Sequence, residues 1–138
     1  MPQELFVDSS AWLALADKSD KYHMAATSVY PDLLKRYQRL VTTNLVIAET
    51  YILLRRSLGA QPAIEFLERV AKSPRIEKAY STMALEMDAE KILRQYADQE
   101  FSFTDAVSFA LMQARRIKKA FAFDRHFTIA GFEQLPPL

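Results

Sequence analysis

This sequence predicts an α/β domain, a mostly parallel sheet with helices covering both faces. Three observations predict it. Short apolar or β-branched runs alternate with longer stretches of helical periodicity. The first run, Leu5-Phe6-Val7, breaks into a helical stretch through Asp8-Ser9-Ser10, as the strand-to-helix turn of a βα unit does. A chain of 138 residues, half of them hydrophobic, makes one domain around a single core.

Each element has its own signal. Leu5 to Val7 reads as a buried strand, and the run from Ala11 to Ala16 as the helix after it. Asp17 to Lys21 is a polar loop. From Tyr22 the residues Met24, Ala25, Val29, Leu33, Leu34 and Tyr37 recur at helical spacing, with Pro31 predicting a kink or break. Leu40 to Thr43 reads as a second strand. Asn44 to Leu58 follows as a largely buried helix, with Gly59 placed to end it. Gln61 to Ala71 is another helix, tolerating Pro62 in its first turn. Beyond Pro74, Arg75 to Tyr80 reads as a third strand. A helix over Thr82–Tyr96 carries Leu85, Ala89, Ile92 and Tyr96 on one face. A helix from Ala106 to Ile117, a strand from Ala120 to Phe123 and a short edge strand from Phe132 to Leu135 complete the order.

Composition excludes several chemistries. Cysteine is absent, which removes disulfides, thiolate nucleophiles and cysteine zinc sites and suits a cytoplasmic protein. The amino-terminal Met1-Pro2-Gln3-Glu4 shows no signal-type segment, and no apolar run is long enough to span a bilayer, so no membrane role is expected. Only Gly59 and Gly131 occur, so neither a P-loop nor a dinucleotide fingerprint nor a nucleophile elbow exists. Two histidines, His23 and His126, do not make a zinc site unaided. A net charge of +1 confines any phosphate contact to local patches. Carboxylates remain as the carriers of chemistry.

Four of them stand out. Asp8 ends the first strand, although taken alone it reads first as a helix cap. Glu49 interrupts an apolar helix, where it serves a site or pairs with Arg56 on the same face. Asp105 opens a helix, and Ser102-x-x-Asp105 is also a capping box. Asp124 ends the fourth strand, where an ordinary turn aspartate is the plain alternative. In a parallel sheet, strand ends and the helix starts after them share one edge, so all four can converge on one crevice. Converging carboxylates repel unless a cation neutralises them. One or two hard divalent ions, Mg²⁺ or Mn²⁺, answer that need, and carboxylate-held metals hydrolyse phosphodiesters.

Asp8-Ser9-Ser10, Asn44-x-x-x-x-Glu49, Phe103-Thr104-Asp105-Ala106 and Phe123-Asp124-Arg125-His126-Phe127, in that order, resemble the PIN-domain ribonucleases, among them the VapC toxins of toxin–antitoxin pairs. The resemblance covers essentially the whole chain. It implies a three-layer α/β/α domain over residues 1–138 and cleavage of RNA by metal-activated water, leaving 5′-phosphate and 3′-hydroxyl ends. It assigns catalysis and metal binding to Asp8, Glu49, Asp105 and Asp124. Ser10 matches a position that orients the first aspartate, and Thr104 takes a similar part beside Asp105. The chain departs from the pattern at Ala122, where Thr or Ser is common, and at His126, where a second acid is common. For His126, a structural partner role is expected ahead of contact with phosphate or metal.

Arg56 is the first candidate for gripping substrate, because it shares a helix face with Glu49. The other basic clusters, Lys35-Arg36 with Arg39 and Arg115-Arg116 with Lys118-Lys119, are expected to be solvated helix faces. Trp12 is expected in the core rather than stacked on a base. The expected partners are an RNA substrate and a small antitoxin that occludes the crevice. A homodimer has apolar helix surface available from Tyr51 to Leu58. Two other readings use the same residues: an RNA-processing nuclease without antitoxin, and a non-catalytic module whose acids are caps and ion pairs. A carboxylate-pair glycosidase is disfavoured, since nothing suggests a long sugar-binding groove.

Overall fold

In the computed structural model, which describes residues 3–138, five strands and seven helices follow one another in the expected alternation. Met1 and Pro2, half of the amino-terminal tetrapeptide, lie outside the described residues. The strands are β1 (Glu4–Val7), β2 (Arg39–Thr43), β3 (Ile76–Ala79), β4 (Lys119–Phe121) and β5 (Glu133–Leu135). The helices are α1 (Ser9–Ala16), α2 (His23–Arg36), α3 (Asn44–Leu58), α4 (Ala60–Lys72), α5 (Met83–Gln95), α6 (Phe103–Arg115) and α7 (His126–Ile129).

The sheet order is β3-β2-β1-β4-β5, and every pairing is parallel. Leu5, Phe6 and Val7 of the central β1 are all fully buried. Successive strand residues face opposite sides, so helices cover both faces of the sheet there. The chain leaves β1 toward β2 on one side, and β4 later fills the other side. That reversal makes the carboxyl ends of β1 and β4 a topological switch point, the place where an open α/β sheet leaves a crevice. The backbone N–H of Asp8 donates to the Phe121 carbonyl at 3.0 Å and ties the two strand ends together.

Local chemistry sets the helix starts. Asp8 caps α1, Thr43 caps α3, Thr82 caps α5 and Ser102 caps α6, each side-chain oxygen accepting from a backbone N–H of the first turn. Gly59, at φ 96°, ends α3 and begins α4, a left-handed conformation that glycine adopts without strain.

Several expectations need correcting. Helix α2 runs through Pro31 without a break. The carbonyl four residues before Pro31, the one proline leaves without a donor, belongs to Thr27, an exposed residue of the helix. Met24 and Ala25 are exposed, and Ala26 and Leu33 are the buried residues of that helix. Helix α6 starts three residues earlier than its apolar run, at Phe103, because the Ser102 cap sets its first turn. Strand β4 ends at Phe121 rather than Phe123. Beyond it the Phe123 amide donates to a side chain, Ser10 Oγ, at 2.9 Å instead of to a neighbouring strand. The turn after Asp124 is a short helix, α7, whose Phe127 is fully buried against Phe6 and Phe109. Trp12 is in the core as expected, with its indole N–H directed at Thr42 Oγ1 at 3.4 Å.

Candidate active site

The switch point gathers acids from across the chain. Asp8 follows β1 directly and is 3% exposed. Its Oδ2 accepts from the Ser10 hydroxyl at 2.6 Å and from the Ser10 backbone N–H at 3.2 Å. Ser10 Oγ in turn accepts from the Phe123 amide, so one hydroxyl fixes the Asp8 carboxylate relative to the chain leaving β4. Capping a helix and standing at the crevice are therefore compatible roles for Asp8, and the residue fulfils both geometries.

Asp105 shows the same economy. The capping box is formed in full: Ser102 Oγ accepts from the Asp105 N–H at 3.0 Å, and Asp105 Oδ2 accepts from the Ser102 N–H at 3.1 Å. That same Oδ2 lies 2.9 Å from His126 Nδ1. Asp124 Oδ1 accepts from the His126 backbone N–H at 3.0 Å and lies 3.4 Å from the ring Nδ1. One ligand atom from each of Asp105, Asp124 and His126 falls within 4.8 Å of the others. Glu49, half-buried on α3, accepts a hydrogen bond from the hydroxyl of Ser9, the residue after Asp8, although 40 positions separate the two partners in the sequence.

The electrostatics record this crowding. Burial pushes the Asp8 carboxyl up from its ordinary 3.8 to about 7. The Ser10 hydroxyl pulls the other way, and the charges of Asp105 and Asp124 add to the rise. A carboxyl raised chiefly by burial, and further by two neighbouring carboxylates, would be favoured in its charged form by a nearby cation. The clustered donors are two carboxylates, Asp105 and Asp124, and the His126 imidazole, with Asp8 and Glu49 outside that cluster, and the set fits a divalent metal ion.

Other expected residues are elsewhere or differently engaged. Thr104 is half-buried beside Asp105, and its carbonyl accepts from Ser108 Oγ at 2.9 Å. Arg56 is exposed near the carboxyl end of α3, about 10 Å along the helix from Glu49. The alternative Glu49–Arg56 ion pair is not formed among the described residues, and Glu49 accepts instead from the Ser9 hydroxyl. Arg39, Arg115, Lys118 and Lys119 line a half-open groove of about 940 Å³ at the amino-terminal ends of the strands, the edge away from Asp8. There Arg115 is bound to Glu77 and Glu4, Arg39 to the same two acids, and Lys119 to Glu133.

Ser9 is the residue whose part sequence reasoning missed, while His126 takes the structural-partner position expected of it, with Nδ1 2.9 Å from Asp105 Oδ2. Ser9 stood inside the quoted motif, but only the meeting of α1 with α3 reveals its bond to Glu49. His126 carried a signal in its position two residues after Asp124.

The sequence matches the PIN domain over residues 5–133. It is 35% identical over 134 residues to the 23S rRNA-specific endonuclease VapC20 of Mycobacterium tuberculosis, in each of two strains, covering 96% of this chain and 98% of the relative. The crystal structure of VapC20 from that organism, titled a sarcin-ricin loop cleaving toxin, superposes with a TM-score of 0.85 at 34% identity, covering 93% of this chain and 95% of the other. A five-stranded parallel sheet, acids gathered at its switch point and a family match along nearly the whole sequence lead to one conclusion: the chain belongs to the PIN-domain family.

Proposed function

We propose that this protein is a metal-dependent endoribonuclease and the toxin of a toxin–antitoxin pair. The observation that supports it most is the convergence of Asp8, Asp105 and Asp124 at the β1–β4 switch point, close enough for two of them to raise the pKa of the third. The names of its relatives point the same way, and the loop of 23S rRNA that they cut is the first substrate to try.

Asp8, Asp105 and Asp124, with Glu49 held by Ser9, would bind Mg²⁺ or Mn²⁺ as one ion or two. When bound, such an ion acidifies water and offsets charge developing on the phosphate. The remaining work belongs to the chain. Ser10 locks the Asp8 carboxylate in one orientation and stitches it to Phe123. The Ser102 amide and the His126 ring fix Asp105 from two sides. Each constraint limits rearrangement when substrate arrives, which is the value of a preorganised site. Arg56, exposed two turns from Glu49, would take a phosphate of the RNA backbone. An antitoxin would act by covering this crevice, and Ile52 and Leu58 on α3 leave apolar surface for a second copy of the chain.

Cleavage of an RNA carrying the ribosomal loop tests the reading. With Mg²⁺ or Mn²⁺ the protein cuts it, and chelation stops the cut. Asp8→Asn and Asp105→Asn each slow cleavage by at least about a hundredfold while the fold survives. Should both variants cleave at the original rate, the acids are caps and ion-pair partners and the non-catalytic alternative holds. An adjacent reading frame for a small protein whose co-expression relieves toxicity separates a toxin from an RNA-processing enzyme.

A further inference from the structure

His126 brings the one nitrogen donor to a cluster otherwise made of carboxylates, among the described residues. Its Nδ1 is 2.9 Å from Asp105 Oδ2 and 3.4 Å from Asp124 Oδ1. Around a six-coordinate ion with bonds of about 2.1 Å, adjacent ligand atoms stand about 3.0 Å apart. His126 Nδ1 stands close to that spacing from each of the two carboxylate oxygens. The ring is also held in place from behind. It packs on Phe101 in a T-shaped contact with centroids 5.0 Å apart, its backbone N–H is bound to Asp124 Oδ1, and the next residue, Phe127, is fully buried.

In the neutral tautomer that carries its hydrogen on Nε2, the Nδ1 lone pair faces the same space as the two carboxylates. In that tautomer three acceptors face one another and a cation between them relieves the repulsion, whereas with the hydrogen on Nδ1 the ring donates to Asp105 Oδ2. Imidazole is a softer donor than carboxylate, and Mg²⁺ is the divalent ion most dependent on oxygen ligands and ideal geometry, whereas Mn²⁺ binds nitrogen donors more readily. We propose that His126 is a direct nitrogen ligand to the ion held by Asp105 and Asp124, and that it biases the site toward Mn²⁺ over Mg²⁺. This rests on the reading of the cluster as a divalent metal site.

Electron paramagnetic resonance on the full chain tests both levels separately. Titrating Mn²⁺ and following loss of the free-ion signal measures binding. Pulsed spectra of the bound ion then show imidazole nitrogen modulation, which changes when the protein is made with ¹⁵N-histidine. That arm needs no substitution. The other histidine, His23, sits against the Ala14 carbonyl at the start of α2, so His23→Ala keeps the modulation and His126→Ala loses it. In His126→Asp, Mg²⁺ displaces bound Mn²⁺ at about tenfold lower concentration than in the original protein. Mn²⁺ that binds without histidine modulation leaves His126 a hydrogen-bond partner of Asp105 and overturns the proposal, while the metal site stands. Failure to bind Mn²⁺ at all overturns both.

Discussion

Replacing Asp8 with Asn should make the metal-free protein more stable, even though Asp8 stands at the centre of the proposed chemistry. Asp8 is 3% exposed, and burial lifts its carboxyl from 3.8 to about 7 in the folded chain. Because the folded state holds this proton more tightly than the unfolded state, ionising Asp8 opposes folding. The opposition is absent below the unfolded value of 3.8, grows as pH rises, and is complete once pH passes about 7. Its ceiling is roughly 4 kcal/mol, taking about 1.4 kcal/mol for each tenfold change in proton affinity. Asn carries no charge, and its amide oxygen still accepts from the Ser10 hydroxyl and amide. We therefore expect Asp8→Asn, in chelator at about pH 8, to be more stable by roughly 1–4 kcal/mol, which for a domain of this size raises Tm by several degrees. Near pH 4 the difference shrinks to a few tenths of a kcal/mol. Thermal unfolding of both proteins across this pH range in chelator is the assay, and the comparison cancels the titration of groups that do not interact with Asp8. Added Mn²⁺ should reverse the order, since the ion binds the native carboxylate site and stabilises it by mass action. A variant less stable than the original protein at pH 8, or a gap that does not change with pH, would refute the account of Asp8 as a desolvated charge crowded by its neighbours.

Two further outcomes follow from the same geometry. Ser10→Ala deletes the hydroxyl that donates to Asp8 and accepts from the Phe123 amide. Urea unfolding should show a loss of about 1–3 kcal/mol from the stranded amide, with slower cleavage because Asp8 is no longer fixed. At the opposite edge of the sheet, the hydrogen bond from Arg115 holds the Glu77 carboxyl below its ordinary 4.5 against the opposing effect of burial, with the Arg115 charge and Arg39 adding to the lowering. The stabilisation from that pair is fully present above pH 4.5 and is lost as pH falls through the lowered value. Glu77→Gln should thus unfold at lower temperature than the original protein at neutral pH, with the two melting curves converging in acid and cleavage near neutrality unaffected.

The sequence alone determined the kind of fold and the kind of chemistry, because both are written in local patterns. A period of two or of 3.6 in apolar residues records which backbone conformation buries them, so β1, β2, α3 and α5 are legible within a residue or two of their ends. Without cysteine, and with only two glycines and two histidines, the chain leaves few chemistries open, and that too needs no coordinates. Helix α7 escaped notice because four residues are too few to show a period, and the Asp124 side chain that binds the His126 amide looks like any turn aspartate. Pro31 reads as a kink or a break, and that α2 continues through it is decided by the packing of the helix, which outweighs the local cost of proline. The site itself was decided by tertiary structure. Strand order places the ends of β1 and β4 side by side, and only then do Ser10 and Phe123, 113 residues apart, share a hydrogen bond. The same long-range closure turned Glu49 toward Ser9 instead of Arg56 and set the His126 ring between two aspartates. A sequence encodes each backbone segment nearly on its own, whereas the meeting of side chains depends on how all the segments are stacked.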